Sequence, residues 1–197
     1  MLVLTGADLV LPDRVLHAGT LSIADGRIVE IRAEHAGPHA SSFAFHGHTI
    51  VPGFIDVHVH GVLGTDTLDE GNPIATLAAT LPRFGVTAFC PTTIACNPTA
   101  LRGVLAQVRE CRETPRPLAA RVLPAHLESN FINPDYCGAQ PRACFRTCGR
   151  PHGSPGEGAD SGVFTAAAIL QAIEDHAPDV GIVTLAPELE GGLDLIA

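Results

Sequence analysis

Two histidines separated by a single residue, His58-Val59-His60, close the strand-like run Phe54-Ile55-Asp56-Val57. Side chains alternate faces along a strand, so this spacing sets both imidazoles on one face, with Asp56 on the same side. Two imidazoles placed in this way can share one cation, and imidazole suits zinc or a similar transition metal. The bare spacing is a weak sign, because His46 and His48 repeat it in the same chain. A second group of candidates is His126-Leu127-Glu128 at the end of Arg121-Val122-Leu123-Pro124-Ala125. A carboxylate at a strand end can bind a divalent ion, and His126, two positions deeper on the same face, can donate to a ligand. Glu188, in Thr184-Leu185-Ala186-Pro187-Glu188, is a further carboxylate that can order such a site from behind.

The elements that must position these residues follow a change of grammar near residue 50. Before it, short strand-like pieces, Leu2–Leu4, Ala7–Val10 and Thr20–Ile23, are separated by turns. Asp25-Gly26 between two alternating runs predicts a β-hairpin. The stretch from Arg32 to Ser42 is polar and gives no clear signal, and His46–Val51 returns to strand. After residue 53, strands alternate with helices. Strands are expected over 54–60, 86–91, 121–127 and 180–186, and helices over 73–84, 98–112 and 165–176. Pro73 suits a first helical turn, and Asn97-Pro98 reads as a cap followed by a first helical position. A further helix begins at Gly191–Ala197, and the loop over 129–161 exceeds the usual connection length. Such alternation predicts a parallel sheet with crossover helices. Four β/α units fit either a small doubly wound sheet or half of an eight-stranded barrel.

Three segments, in order, resemble a known family. Val51-Pro52-Gly53-Phe54-Ile55-Asp56-Val57-His58-Val59-His60-Gly61 resembles the PGFIDxHxHG signature of the amidohydrolase superfamily. His126-Leu127-Glu128-Ser129-Asn130-Phe131-Ile132-Asn133, followed by Gly138-Ala139-Gln140, resembles the HLEGPFxN…GAH motif of the N-acetylglucosamine-6-phosphate deacetylases. Thr184–Glu188 resembles the TLAPE segment of the same family, and Pro91-Thr92-Thr93 ends its strand in the family manner. Two departures stand out: Ser129-Asn130 replaces Gly-Pro, and Gln140 stands where His is common.

The resemblance implies an α/β fold: residues 1–50 as a small β-sandwich segment, then residues 51–197 as the first four β/α units of a partial (β/α)8 TIM-type barrel. It implies His58, His60 and Glu128 as ligands of a divalent metal, zinc, as one or two ions. Ala139 and Gln140 become substrate contacts, with His126 and Glu188 supporting the ligands from behind. The implied activity is removal of the acetyl group from N-acetylglucosamine 6-phosphate in the intact parent protein. The family's later His ligands and its catalytic Asp follow strands beyond residue 197. The 197-residue chain by itself is therefore expected to be an inactive truncated fragment. Another amidohydrolase, such as a dihydroorotase-like enzyme or a deaminase, is the alternative, and the HLESNFINP segment argues against it.

Composition bounds the rest. A net charge of -9 carries no nucleic-acid footprint. No run of 18 or more apolar residues predicts a membrane span. The start MLVLTGADLVLPD is not a signal peptide, and none of the six cysteines forms a CxxC pair. Reduced thiols at Cys90, Cys96, Cys111, Cys137, Cys144 and Cys148, a cytoplasmic location, an amino-sugar phosphate as the partner and room for a homodimer are the corresponding expectations.

Overall fold

The computed structural model describes residues 1–33, 42–147 and 164–196, which divide into two compact units, Met1–Gly53 and Phe54–Ala197. The first unit is a five-stranded sheet. Strand β1 (Leu2–Val10) pairs antiparallel with β2 (Val15–Ala24), and β2 with β3 (Arg27–Arg32). On its other edge β1 runs parallel to β4 (Ser42–Ala44) and β5 (Thr49–Ile50). The hairpin expected at Asp25-Gly26 is present, with φ of 49° and 72°. Two successive positive φ angles match the right-handed twist of the flanking strands.

Three readings in this unit need correction. The pieces at Leu2–Leu4 and Ala7–Val10 form one strand, interrupted by a register shift between Thr5 and Ala7. Gly6 sits there with φ of 78°, and a Cβ on it would lie 2.4 Å from the His46 ring. The glycine therefore accommodates both a bulge and a close approach. Leu16 to Gly19 are strand as well, within β2. His46-Gly47 is a turn rather than strand. Part of the unassigned stretch, 34–41, lies outside the described residues.

The second unit holds a parallel sheet whose order follows the chain. Strand β6 (Phe54–Val59) pairs with β9 (Val86–Thr93). On its other edge β9 pairs with β10 (Arg121–Val122) and β11 (Ala125–Glu128), and β11 pairs with β12 (Val180–Thr184). Among the described strands the order shows no reversal of the kind a doubly wound sheet has at its switch point. A small hairpin of β7 (Gly61–Val62) and β8 (Thr65–Asp66) follows β6. The third strand was expected to be continuous over 121–127. Pro124 has no N–H to donate to the ladder and splits it into β10 and β11.

The helices are α1 (Pro73–Thr80), α2 (Pro98–Glu113), α3 (Ala166–Glu174) and the short α4 (Gly192–Ile196). Helix α1 tightens into a 3-10 turn over Leu81–Phe84, where Pro82 removes a helical N–H, and Gly85 ends it at φ of 80°. Asn97 caps α2 by accepting the Ala100 N–H at 2.9 Å, and Thr165 caps α3 through Ala168. Apolar residues of these helices, such as Ile74, Leu77, Leu105, Val108 and Ile169, pack with Phe89, Val122 and Leu127 of the sheet in one core. Phe54, Ile55 and Val57 of β6 remain exposed. The 129–161 loop shows 3-10 turns at Pro134–Tyr136 and Arg142–Cys144, and its stretch from residue 148 onward, including Cys148, lies outside the described residues. The other five cysteines are free. Among the described residues no helix is long and apolar enough to cross a membrane.

One ion pair ties α2 to the start of β12. The Asp179 carboxylate is 4% exposed and accepts from Arg109 Nε at 2.6 Å and Arg112 Nη1 at 2.5 Å. Removing it takes charge-assisted bonds from a buried site, although both arginines remain partly solvated and recover some hydration. Asp179→Ala is expected to lower unfolding free energy by about 2–3 kcal/mol in urea titration. A loss within experimental error would show that this pair does not hold β12 in place.

Candidate metal centre

The C-terminal ends of β6 and β11 bring His58, His60 and Glu128 together. The route by which they meet starts at Pro91. Proline cannot donate to the neighbouring strand, and the β6–β9 register slips between Asp56 and Val59. The Thr92 hydroxyl supplies a side-chain bond there, accepting the Val59 N–H at 2.9 Å and donating to the Cys90 carbonyl at 3.1 Å. The amide between the two histidines is thereby fixed. The Asp56 carboxylate accepts the His58 N–H at 3.1 Å.

His60 is oriented by the same residue. Its Nδ1 lies 3.1 Å from the Thr92 carbonyl. A carbonyl only accepts, so Nδ1 carries the hydrogen and the Nε2 lone pair points into the cluster. The Thr67 hydroxyl donates to that carbonyl too, at 2.8 Å.

The Nε2 atoms of His58 and His60 lie 3.0 Å apart. Glu128 Oε1 is 3.4 Å from His58 Nε2, and Oε2 is 3.5 Å from His60 Nε2. Two inward-facing imidazole nitrogens at that separation repel unless a proton or a cation lies between them. Zinc bonds of about 2.0–2.1 Å at a tetrahedral angle hold ligand atoms about 3.4 Å apart. The donor set and its spacing thus fit one divalent cation. Among the described residues no cysteine joins the cluster; burial first, and then Cys144, push the Cys96 thiol up to about 12, and burial and the Asp56 charge raise Cys90.

His126 was expected to support the ligands from behind. Its Nδ1 donates to the Val57 carbonyl at 2.8 Å, and Nε2 accepts from the Thr184 hydroxyl at 2.8 Å. Its hydrogen bonds therefore go to the β6 backbone and to β12, while its ring meets that of His58 edge-on at 4.8 Å. Glu188 was expected behind the ligands. It is exposed, and its Oε1 accepts from Asn133 Nδ2 at 2.9 Å. Gln140 reaches Glu128: its Nε2 donates to Oε2, while its Oε1 accepts the Ala95 N–H at 2.7 Å. Ala139 is exposed.

The substitutions at residues 129 and 130 have structural work. Ser129 Oγ donates to the Thr184 carbonyl at 2.7 Å, tying β11 to β12. Asn130 Nδ2 donates to the carbonyls of Cys96 and Cys144, each at 2.7 Å, fastening the loop after β9 to the loop carrying Gln140. Sequence reasoning gave Thr67, Thr184 and Asn130 no role. Their partners are distant in sequence, and only the hydroxyls following Pro91 carried a local hint.

The parallel α/β unit thus brings a His-x-His pair and a Glu together at C-terminal strand ends. No family model matches the chain. Its similarity to individual proteins is specific: the chain resembles part of the length of N-acetylglucosamine-6-phosphate deacetylases. It is 35% identical over 156 residues to that deacetylase from Mus musculus, covering 76% of this chain and 34% of the mouse protein. It is 32% identical over 143 residues to the one from Bacillus subtilis, covering 70% and 36% respectively. In structure it matches the Mycobacterium smegmatis deacetylase with a TM-score of 0.75 at 24% identity, covering 100% of this chain and 50% of that one. A mutant of the same mycobacterial protein has been solved with N-acetyl-D-glucosamine-6-phosphate; it matches with a TM-score of 0.74 at 24% identity over 99% of this chain and 46% of that one. The chain spans about a third of the length of the curated relatives it matches.

Asn133, and next the Glu188 backbone N–H, hold the Glu188 carboxyl below the usual glutamate range. A lowered folded pKa contributes stability above the unfolded value and loses it as pH falls through the folded one. Asn133→Ala is expected to move the Glu188 titration upward, toward the ordinary glutamate range, followed by carboxyl carbon NMR. An unchanged midpoint would mean Asn133 does not hold this carboxylate.

Proposed function

We propose that this chain supplies the first part of the active site of a hydrolase that removes the acetyl group from N-acetylglucosamine 6-phosphate. The convergence of His58, His60 and Glu128 carries this reading. The named deacetylases at 30–35% identity support the reaction, and the relative solved with the sugar phosphate supports the substrate.

Residues 51–197 are read as the first four β/α units of a (β/α)8 barrel, after an N-terminal β-segment over 1–50. Chain-ordered parallel pairing supports this, as does a cluster at the C-terminal strand ends, where barrel enzymes keep their sites. The exposed Phe54, Ile55 and Val57 of β6 are then surfaces that further strands would cover.

His58, His60 and Glu128 hold a divalent cation, zinc in our reading, as one or two ions. What such a cation supplies when bound is Lewis acidity toward a water and toward the acetamide carbonyl. The chain's own part is to fix the ligands. Thr92 locks the His60 tautomer and the backbone between the histidines. His126 holds the Val57 carbonyl just ahead of His58. Ala139 is the exposed member of the pair read as substrate contacts. Among the described residues the metal-binding cluster includes one carboxylate, Glu128. The proton shuttle is read, from the family resemblance, as an Asp not among these residues.

The test is amine release from N-acetylglucosamine 6-phosphate by the full-length protein that carries this sequence, with zinc supplied. Glu128→Ala is expected to reduce kcat/KM by roughly 100-fold or more, since even outer partners of metal ligands cost about 10–100-fold. Turnover unaffected by Glu128→Ala would sink the reading, as would zinc binding with no turnover on this substrate.

A further inference from the structure

We infer that Gln140 is a positioning residue for the metal-binding carboxylate of Glu128. The inference rests on the metal reading above and assigns a role to Gln140 other than touching substrate. The side-chain amide is used at both ends. The Ala95 backbone N–H can only donate, so the atom it meets at 2.7 Å is the Gln140 carbonyl oxygen. The amide orientation is thereby decided, and the NH2 group must face Glu128 Oε2.

The anchor at each end is firm. Ala95 is 1% exposed and lies just before the Asn97 cap of α2. The Gln140 N–H donates to the Cys137 carbonyl at 3.1 Å. Asn130 joins the same two loops through the Cys96 and Cys144 carbonyls. Gln140 thus links the loop after β9, the strand whose Thr92 orients His60, to the end of β11, which carries Glu128.

The consequence concerns the carboxylate. A glutamate side chain has three rotatable bonds and loses freedom when it captures a cation. A charge-assisted bond to Oε2 from a backbone-anchored amide removes much of that freedom beforehand. It also occupies one lone pair of Oε2 and leaves Oε1, which faces His58, as the freer donor. Histidine at this position can keep the ring N–H donor toward Glu128. A residue without a donor cannot.

The experiment measures zinc affinity of the full chain by competition with a chromophoric chelator, for wild type, Gln140→Met, Gln140→Asn, Gln140→His and Glu128→Ala. Gln140→Met is expected to weaken zinc binding by about 10–100-fold, and Gln140→His to recover most of it. Gln140→Asn keeps the amide but is too short to span Ala95 and Glu128. It is expected to follow Gln140→Met and serves if that variant does not fold. A purely substrate-contacting Gln140 would raise KM in the full-length enzyme and leave zinc affinity alone. Wild-type affinity in both Gln140→Met and Gln140→Asn would overturn the inference. Zinc binding indifferent to Glu128→Ala would overturn the metal reading itself, and this inference with it.

Discussion

Thr92 grips β6 at two points, and the site depends on that grip. Its hydroxyl accepts the amide proton of Val59, and its carbonyl accepts the Nδ1 proton of His60. The first bond stands where Pro91 leaves the ladder without a donor, in a stretch where the register has already slipped. Strand alternation alone puts His58 and His60 on one side. It does not decide which nitrogen of each ring faces the other. For His60 that choice is made by the carbonyl of Thr92, and it aims the Nε2 lone pair at the point where His58 and Glu128 arrive.

The packing beneath serves the same end. Phe89 and Leu127 fill the core below the strand ends, and the helices cover that side of the sheet. Glu128 comes from β11, held to β9 and β12 on either edge and pinned by Ser129 to the Thr184 carbonyl. His126 adds a link across the sheet, from the Val57 carbonyl on β6 to the Thr184 hydroxyl on β12. The ligands thus sit on strand ends whose backbones are restrained from several directions. Such sites hold geometry better than loops do.

Much of this was legible in residue order. The 2-residue spacing of the histidines, the strand-end position of Glu128, the Asp25-Gly26 hairpin and the Asn97-Pro98 cap are local signals, and local signals survive in a single sequence. The hydrogen-bond partners of His126 and Glu188, Val57 and Asn133, lie far along the chain and leave no local signal. Gln140 was read through its usual counterpart, and its bond to Ala95 spans 45 positions. The break at Pro124 and the bulge at Gly6 were visible as residue types. The apolar run around Pro124 outweighed it, whereas Gly6 signals a turn by type and instead makes a bulge within one strand.

The central claim is that His58, His60 and Glu128 share one cation. Anomalous diffraction at the zinc absorption edge, from crystals grown with zinc, tests it directly. A peak is expected about 2.0–2.2 Å from His58 Nε2, His60 Nε2 and a Glu128 carboxylate oxygen. A peak on His46 and His48, or zinc held by His58 and His60 with Glu128 turned away, would contradict it.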